Sequence, residues 1–159
     1  MTELLALILS PLPPELSSEI GRRFQQLVED TDEVHALCEA LQDVPDDFLP
    51  GWWLDSAASR FWLCLHVDWK ASDEVEWQVQ ATARSLGLPA TFVSALSGQP
   101  QATTLDVLKE AAAWLRRHGY EFMALDTGGD EYLSVPIRLD LLRQAFAVAD
   151  QLALSTSLY

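Results

Sequence analysis

Apolar residues return along this chain in two rhythms, and the change between them divides it. Over residues 1–50 they recur every three or four positions, the repeat of helices that bury one face. A short helix over residues 2–9 is interrupted by Pro11, Pro13 and Pro14. Pro14 suits the opening of the next helix, because the first turn has no use for its missing amide hydrogen. That second helix, residues 14–29, gathers Leu16, Ile20, Phe24, Leu27 and Val28 on one side. A third, over about 32–42, takes Thr31 as its N-cap and sets Val34, Leu37, Cys38 and Leu41 at the i, i+3, i+4, i+7 offsets of a buried stripe.

The rhythm shortens after a loop at 44–51 that contains Pro45 and Pro50. Trp52 to Asp55 reads as a short strand, and residues 60–68 as a longer one. Alternation in the longer strand places Trp62, Cys64, His66 and Asp68 on one face and Phe61, Leu63, Leu65 and Val67 on the other. Both faces are mostly apolar, so this strand is expected to be covered on two sides. Asp73 with Glu76 has the spacing of a capping box for a helix ending near Leu86, where Gly87 and Pro89 stop it. A further helix over 104–118, capped by Thr103 or Thr104, turns Leu105, Leu108, Ala112 and Leu115 inward and ends at Gly119. Residues 120–126 and 131–137 then form a hairpin around Asp126, Thr127, Gly128, Gly129 and Asp130. A last helix, 138–153, is expected to bury Leu142, Ala145, Phe146, Ala149 and Leu152.

The elements add up to an α/β (α+β) fold. N-terminal helices precede a small sheet of three or four strands that includes the 120–137 hairpin, and further helices pack on that sheet. At 159 residues the chain matches one domain, 1–159, with a helical segment at 1–50 and an α/β core at 51–159.

Charge narrows the choice of partners. The net charge is −14, and residues 1–51, with eleven acidic and two basic side chains, carry −9 of it. Between Glu29 and Asp47 there are eight carboxylates and no Lys or Arg. Such a chain repels phosphates, which argues against nucleic acid and anionic membranes as partners. The acidic run is either a solvated face that keeps the protein soluble or a docking surface for a basic protein, whose arrival it would accelerate.

Cys38 and Cys64 fall inside apolar patterns, where a free thiol behaves as a small hydrophobe; no CxxC occurs and no disulfide framework is expected. The apolar run at the N-terminus is too short for a signal segment and lacks basic residues, and no stretch reaches membrane-spanning length. A cytoplasmic address follows by elimination.

Little of the sequence carries chemistry. Leu125, Asp126, Thr127 and Gly128 resemble the catalytic loop of aspartic proteases, but only 31 residues follow Gly128 and most have a helical pattern. The simpler reading is a turn opened by Asp126 and Thr127, with Gly128 and Gly129 supplying positive φ. His66 and Asp68 share a strand face. If the hairpin pairs with that strand, Asp126 and Asp130 approach them, and the four form a candidate divalent-metal site. His35 and Cys38 lie one helical turn apart without a second ligand pair, which argues against zinc. Of the six tryptophans, Trp77 is off its helix's apolar stripe and the adjacent Trp52 and Trp53 cannot both point inward, so at least one indole is expected at the surface.

The helix order, the strand end Val67, Asp68, Trp69, Lys70 and the hairpin from Asp126 to Tyr132 resemble small acidic bacterial domains of unknown function. The hairpin, over about 122–137, is also similar to the Gly-Gly-Asp strand pair of the SUKH-type superfamily, whose bacterial members include toxin-immunity proteins. That likeness implies a surface able to neutralise a basic partner and supplies no catalytic residues. The function expected from the sequence is therefore a non-enzymatic acidic interaction module for a protein partner such as a basic toxin. It would use Glu39, Asp43, Asp46, Asp47, Trp52 and Trp53, need no cofactor, and act as a monomer or homodimer. The alternative is a small metal-assisted enzyme built on His66, Asp68, Asp126 and Asp130.

Overall fold

In the computed structural model of the chain, residues 1–45, 60–88, 91–96, 99 and 101–159 are described. Three helices come first: α1 (Thr2–Leu9), α2 (Pro14–Leu27) and α3 (Glu33–Ala40). Strand β1 (Leu65–Asp68) is followed by α4 (Ser72–Ser85) and α5 (Thr104–Arg116), then by the hairpin β2 (Tyr120–Leu125) and β3 (Glu131–Arg138). Helix α6 (Leu142–Gln151) and strand β4 (Thr156–Leu158) complete the order. The described residues thus make an α+β fold of six helices and one four-stranded sheet, ordered β1-β3-β2-β4 with every neighbouring pair antiparallel.

Period-two alternation decides what each face of the sheet covers. Met123, Leu125, Leu133, Val135 and Ile137 face a core built by α1, α2, α3 and α6, where Leu4, Ile20, Leu37 and Ala145 are wholly buried. Leu65, Val67 and Phe122 face the other way, against Val75 and Val79 of α4 and Leu108, Ala111 and Leu115 of α5. Burying a side chain the size of Phe122 contributes roughly 1.5–3 kcal/mol, so each layer is held by many such terms.

Several local expectations are corrected. The cap of α3 is Asp32, not Thr31: its carboxylate accepts from the amides of Val34 (3.1 Å) and His35 (3.2 Å), and negative charge is favoured at a helix start. The expected capping box of α4 does not form, because the helix begins at Ser72 with Ala71 as its N-cap and Asp73 lies inside the first turn; Glu76 accepts instead from the Ser94 amide at 3.0 Å. A capping box does form at α5, between Thr103 and Asp106. The strand expected over 60–68 is confined to Leu65–Asp68. Phe61, Trp62, Leu63 and Cys64 are all buried and turn toward the end of α3: the Phe61 carbonyl accepts from Asp43, and the Leu63 amide donates to Leu41. Gly128 has φ +71, whereas Gly129 is not in the positive-φ region. Helix α6 begins at Leu142, after an Arg138 to Asp140 ion pair at 2.6 Å, and Leu152 is exposed.

The two cysteines are not free. Cys38 of α3 and Cys64 just before β1 are joined as a disulfide with a Cα separation of 5.2 Å, because the fold lays these two apolar stretches side by side. The short strand expected at Trp52 to Asp55 lies outside the described residues.

Candidate functional site

Register brings the polar side chains of β1 and β3 together. Asp68 pairs with Glu131 and His66 with Leu133, so His66 and Glu131 are diagonal neighbours on the face toward α3. The His66 Nε2 lies 2.6 Å from Glu131 Oε2. From above, α3 lowers His35 onto the same carboxylate, with Nε2 3.3 Å from Glu131 Oε1. The other ring nitrogen of His35, Nδ1, is 2.7 Å from Asp32 Oδ2, so the residue that caps α3 also orients this imidazole. The result is a continuous row, Asp32, His35, Glu131, His66, that ties a helix to two strands.

Charge in this row is mutually reinforcing. Partial burial disfavours the charged forms, but the contacts outweigh it: His35 is raised above its ordinary pKa by Asp32 and Glu131. Against the same burial, Glu131 is lowered by His66, Thr127 and His35, and Asp32 by the amides and ring of its own helix. Chemically, the row can hold and redistribute protons between two imidazoles and two carboxylates at a partly exposed surface.

Of the four residues expected to share a metal site, only His66 belongs to this row. The Asp68 carboxylate accepts from the Lys70 amide at 2.8 Å, and that of Asp126 from the Gly128 amide at 2.8 Å; both are exposed and both shape turns. Asp130 is exposed, and its carbonyl accepts from the Trp69 amide at 3.1 Å. Among the described residues no group of three or more His, Cys, Asp or Glu side chains is arranged to hold a metal ion. The hairpin does lie beside β1, as the metal reading required, but antiparallel pairing delivers Glu131 to His66 while Asp126 sits beyond the end of β2. Sequence reasoning missed Asp32, His35 and Glu131. Strand register would have found Glu131, the cross-strand partner of Asp68, but Asp32 and His35 come from α3 and no strand signal points to them.

The acidic run forms a surface. Glu29, Asp30, Asp32, Glu33, Glu39 and Asp43 are all exposed, along the end of α2 and on α3 with its flanks. Arg60 approaches Asp43 at 3.7 Å. Asp46, Asp47, Trp52 and Trp53 lie outside the described residues. Elsewhere, Trp69 and Trp77 are exposed, while Trp62 and Trp114 are buried. The Lys70 Nζ sits 4.4 Å from the centre of the Trp69 ring, over a groove of about 410 Å³ lined also by Thr103, Leu105 and Tyr132. A neighbouring groove of about 440 Å³ is lined by Lys109, Asp126, Glu131, Tyr132 and Tyr159, among others. No helix among the described residues is long and apolar enough to cross a membrane.

Residues 2–159 match the family described as a domain of unknown function (DUF6630), and the chain belongs to it. No curated protein and no solved structure matches the chain.

Proposed function

We propose that this member of a family of unknown function is a non-enzymatic interaction module that holds a basic protein partner on its acidic N-terminal surface. The observation that carries the reading is the exposure of every described carboxylate from Glu29 to Asp43 in a stretch without Lys or Arg. Exposed like charges so placed repel one another, and a basic surface docking on them relieves that repulsion while its approach is steered. In sequence the run continues through Asp46 and Asp47 toward Trp52 and Trp53, residues of the kind that anchor interfaces. The likeness of the hairpin to SUKH-type immunity proteins supports a bacterial toxin as the partner. The same charge disfavours nucleic acid and anionic membranes.

A cytoplasmic address belongs to this reading, and the Cys38–Cys64 disulfide weighs against it, because cytosolic thiols are held reduced. A thiol count on protein trapped with alkylating reagent at the moment of lysis distinguishes the two compartments.

Affinity capture at low salt, with bound proteins identified by mass, tests the main reading. A basic protein should be retained, released as salt rises, and lost when Glu39, Asp43, Asp46 and Asp47 are changed together to their amides. Failure to retain any partner at any salt concentration rejects the module. Light scattering on the free protein separates monomer from homodimer.

A metal-assisted enzyme built on His66, Asp68, Asp126 and Asp130 is the alternative reading. It requires a rise in melting temperature with Mg²⁺ or Mn²⁺ that Asp68→Asn abolishes. The turn roles of Asp68 and Asp126 argue for no such rise.

A further inference from the structure

Cys38 and His35 stand one turn apart on α3, and Cys64 and His66 stand two apart on the chain entering β1, so the same two segments are linked twice. One link, the disulfide, is covalent. The other runs through Glu131 and depends on a proton.

That dependence follows from the geometry of His35. Both of its ring nitrogens face carboxylates: Nδ1 faces Asp32 Oδ2 at 2.7 Å and Nε2 faces Glu131 Oε1 at 3.3 Å. Carboxylate oxygens only accept hydrogen bonds, and a neutral imidazole has one N–H and one lone pair. A neutral His35 can therefore satisfy one of its two partners, while its lone pair is turned against the other. Only the imidazolium donates to both. His66 is under no such constraint, because one N–H directed from Nε2 satisfies its contact with Glu131 in either charge state.

We propose that His35, Glu131 and His66 form a proton-operated clasp, which fastens the N-terminal end of α3 to the β1–β3 face when His35 is charged and lets go of Glu131 when it is neutral. The groups that face His35 are Asp32 from its own helix and Glu131 from β3; those around Glu131 are His66 from β1 and Thr127 from the hairpin turn. Asp68 of β1 pairs across from Glu131 on the same side of the sheet. On loss of the proton the Asp32 contact is the one retained, since it is shorter and spans only three residues. The contact given up is the one between α3 and the sheet.

The sign is fixed by the direction of the shift. His35 is raised in the folded protein, so the clasp contributes fully below the ring's ordinary pKa and is lost as pH rises through the raised value. The disulfide at Cys38 confines the release to the first turn of α3. The acidic surface proposed to receive a partner includes that turn, so the clasp would set the local charge there, but it stands on its own contacts whether or not such a partner exists.

The test is a nuclear magnetic resonance titration of the intact, oxidised protein from about pH 5 to about pH 9, reading the ring nitrogen shifts of each histidine. Expected is a His35 ring protonated on both nitrogens at the acid end, with a midpoint above the ordinary histidine value, falling in Glu131→Gln. Amide protection factors over residues 33–36 should drop several-fold as pH passes the His35 midpoint, and lose this step in His35→Gln. A His35 midpoint unchanged by Glu131→Gln, or protection over 33–36 that ignores the His35 midpoint, overturns the clasp. If Glu131→Gln does not fold, the wild-type ring shifts decide: one unprotonated nitrogen on His35 at the acid end defeats the proposal, and two protonated nitrogens with the protection step support it.

Discussion

Gln78 closes the outer edge of β1 by pairing with the backbone of His66: its side-chain amide donates to the His66 carbonyl at 2.8 Å and its oxygen accepts from the His66 amide at 2.8 Å. The same oxygen accepts from the Trp62 indole at 3.1 Å. An edge strand offers unpaired polar groups to any passing chain, and here a buried side chain on α4 occupies two of them.

Replacing Gln78 with Leu should leave the His66 amide and carbonyl and the Trp62 indole without partners. Each such buried group costs about 1–3 kcal/mol, so a loss of roughly 3 kcal/mol or more is expected in urea unfolding, with a rise in aggregation. Wild-type stability in Gln78→Leu would show that the edge is satisfied in some other way.

Reduction of the disulfide should destabilise the fold. Cys38 and Cys64 close a loop with a sequence separation of 26, and a cross-link over a loop of that order is worth about 3 kcal/mol through the unfolded chain. Calorimetry with and without dithiothreitol should show the drop, and a Cys38→Ala, Cys64→Ala double variant should show the same lower melting temperature in both buffers. A wild-type transition indifferent to reductant would contradict this.

The segment after α4 is held by carboxylates. Glu110 of α5 accepts from the Ser94 hydroxyl at 2.5 Å and the Ala95 amide at 3.0 Å, and Gln80 donates to the Phe92 carbonyl at 2.9 Å. Burial alone would raise the pKa of Glu110, but these bonds prevail and lower it. A depressed carboxyl stabilises above its unfolded value and is lost as pH falls through the folded one, so docking of residues 94–96 should weaken only as pH falls below the ordinary glutamate range. Protease cleavage in this segment, followed against pH, should show that onset, and Glu110→Gln should be cut readily at neutral pH as well.

Tyr159, the last residue, is half-buried. Its hydroxyl is bonded to that of Ser134, its ring meets Tyr132 edge-on at 6.4 Å, and burial pushes its pKa up to about 12. Ultraviolet titration should show a tyrosine step near pH 12, and Tyr159→Phe should remove it. Complete ionisation of all three tyrosines well below that point would place Tyr159 in solvent.

Much of the architecture was legible from local pattern. Helices α1, α2, α4 and α5 and the hairpin lie close to where periodicity puts them, because a repeat of three to four or of two is a property of neighbouring residues. Gly87 and Gly119 end their helices at φ +68 and +86, conformations whose preference for glycine is equally local. What failed was what depends on distant partners. The stretch Phe61 to Cys64 alternates like a strand, yet the Phe61 carbonyl and Leu63 amide bond to Asp43 and Leu41 at the end of α3, and the Trp62 amide donates to the Ser85 hydroxyl on α4. Strand β4 has three residues and little apolar pattern, and it exists because β2 has an edge to fill.

The sequence by itself determined the fold class, the order of most elements, the concentration of negative charge in the first fifty residues and the turn at Gly128. Only the tertiary structure decided that Cys38 meets Cys64, that Gln78 seals β1, and that Asp32, His35, Glu131 and His66 stand in one row. These residues come from up to three separate elements. Strand register and helix docking bring them within bonding distance, and both are set by the burial of apolar faces that no single segment of chain contains.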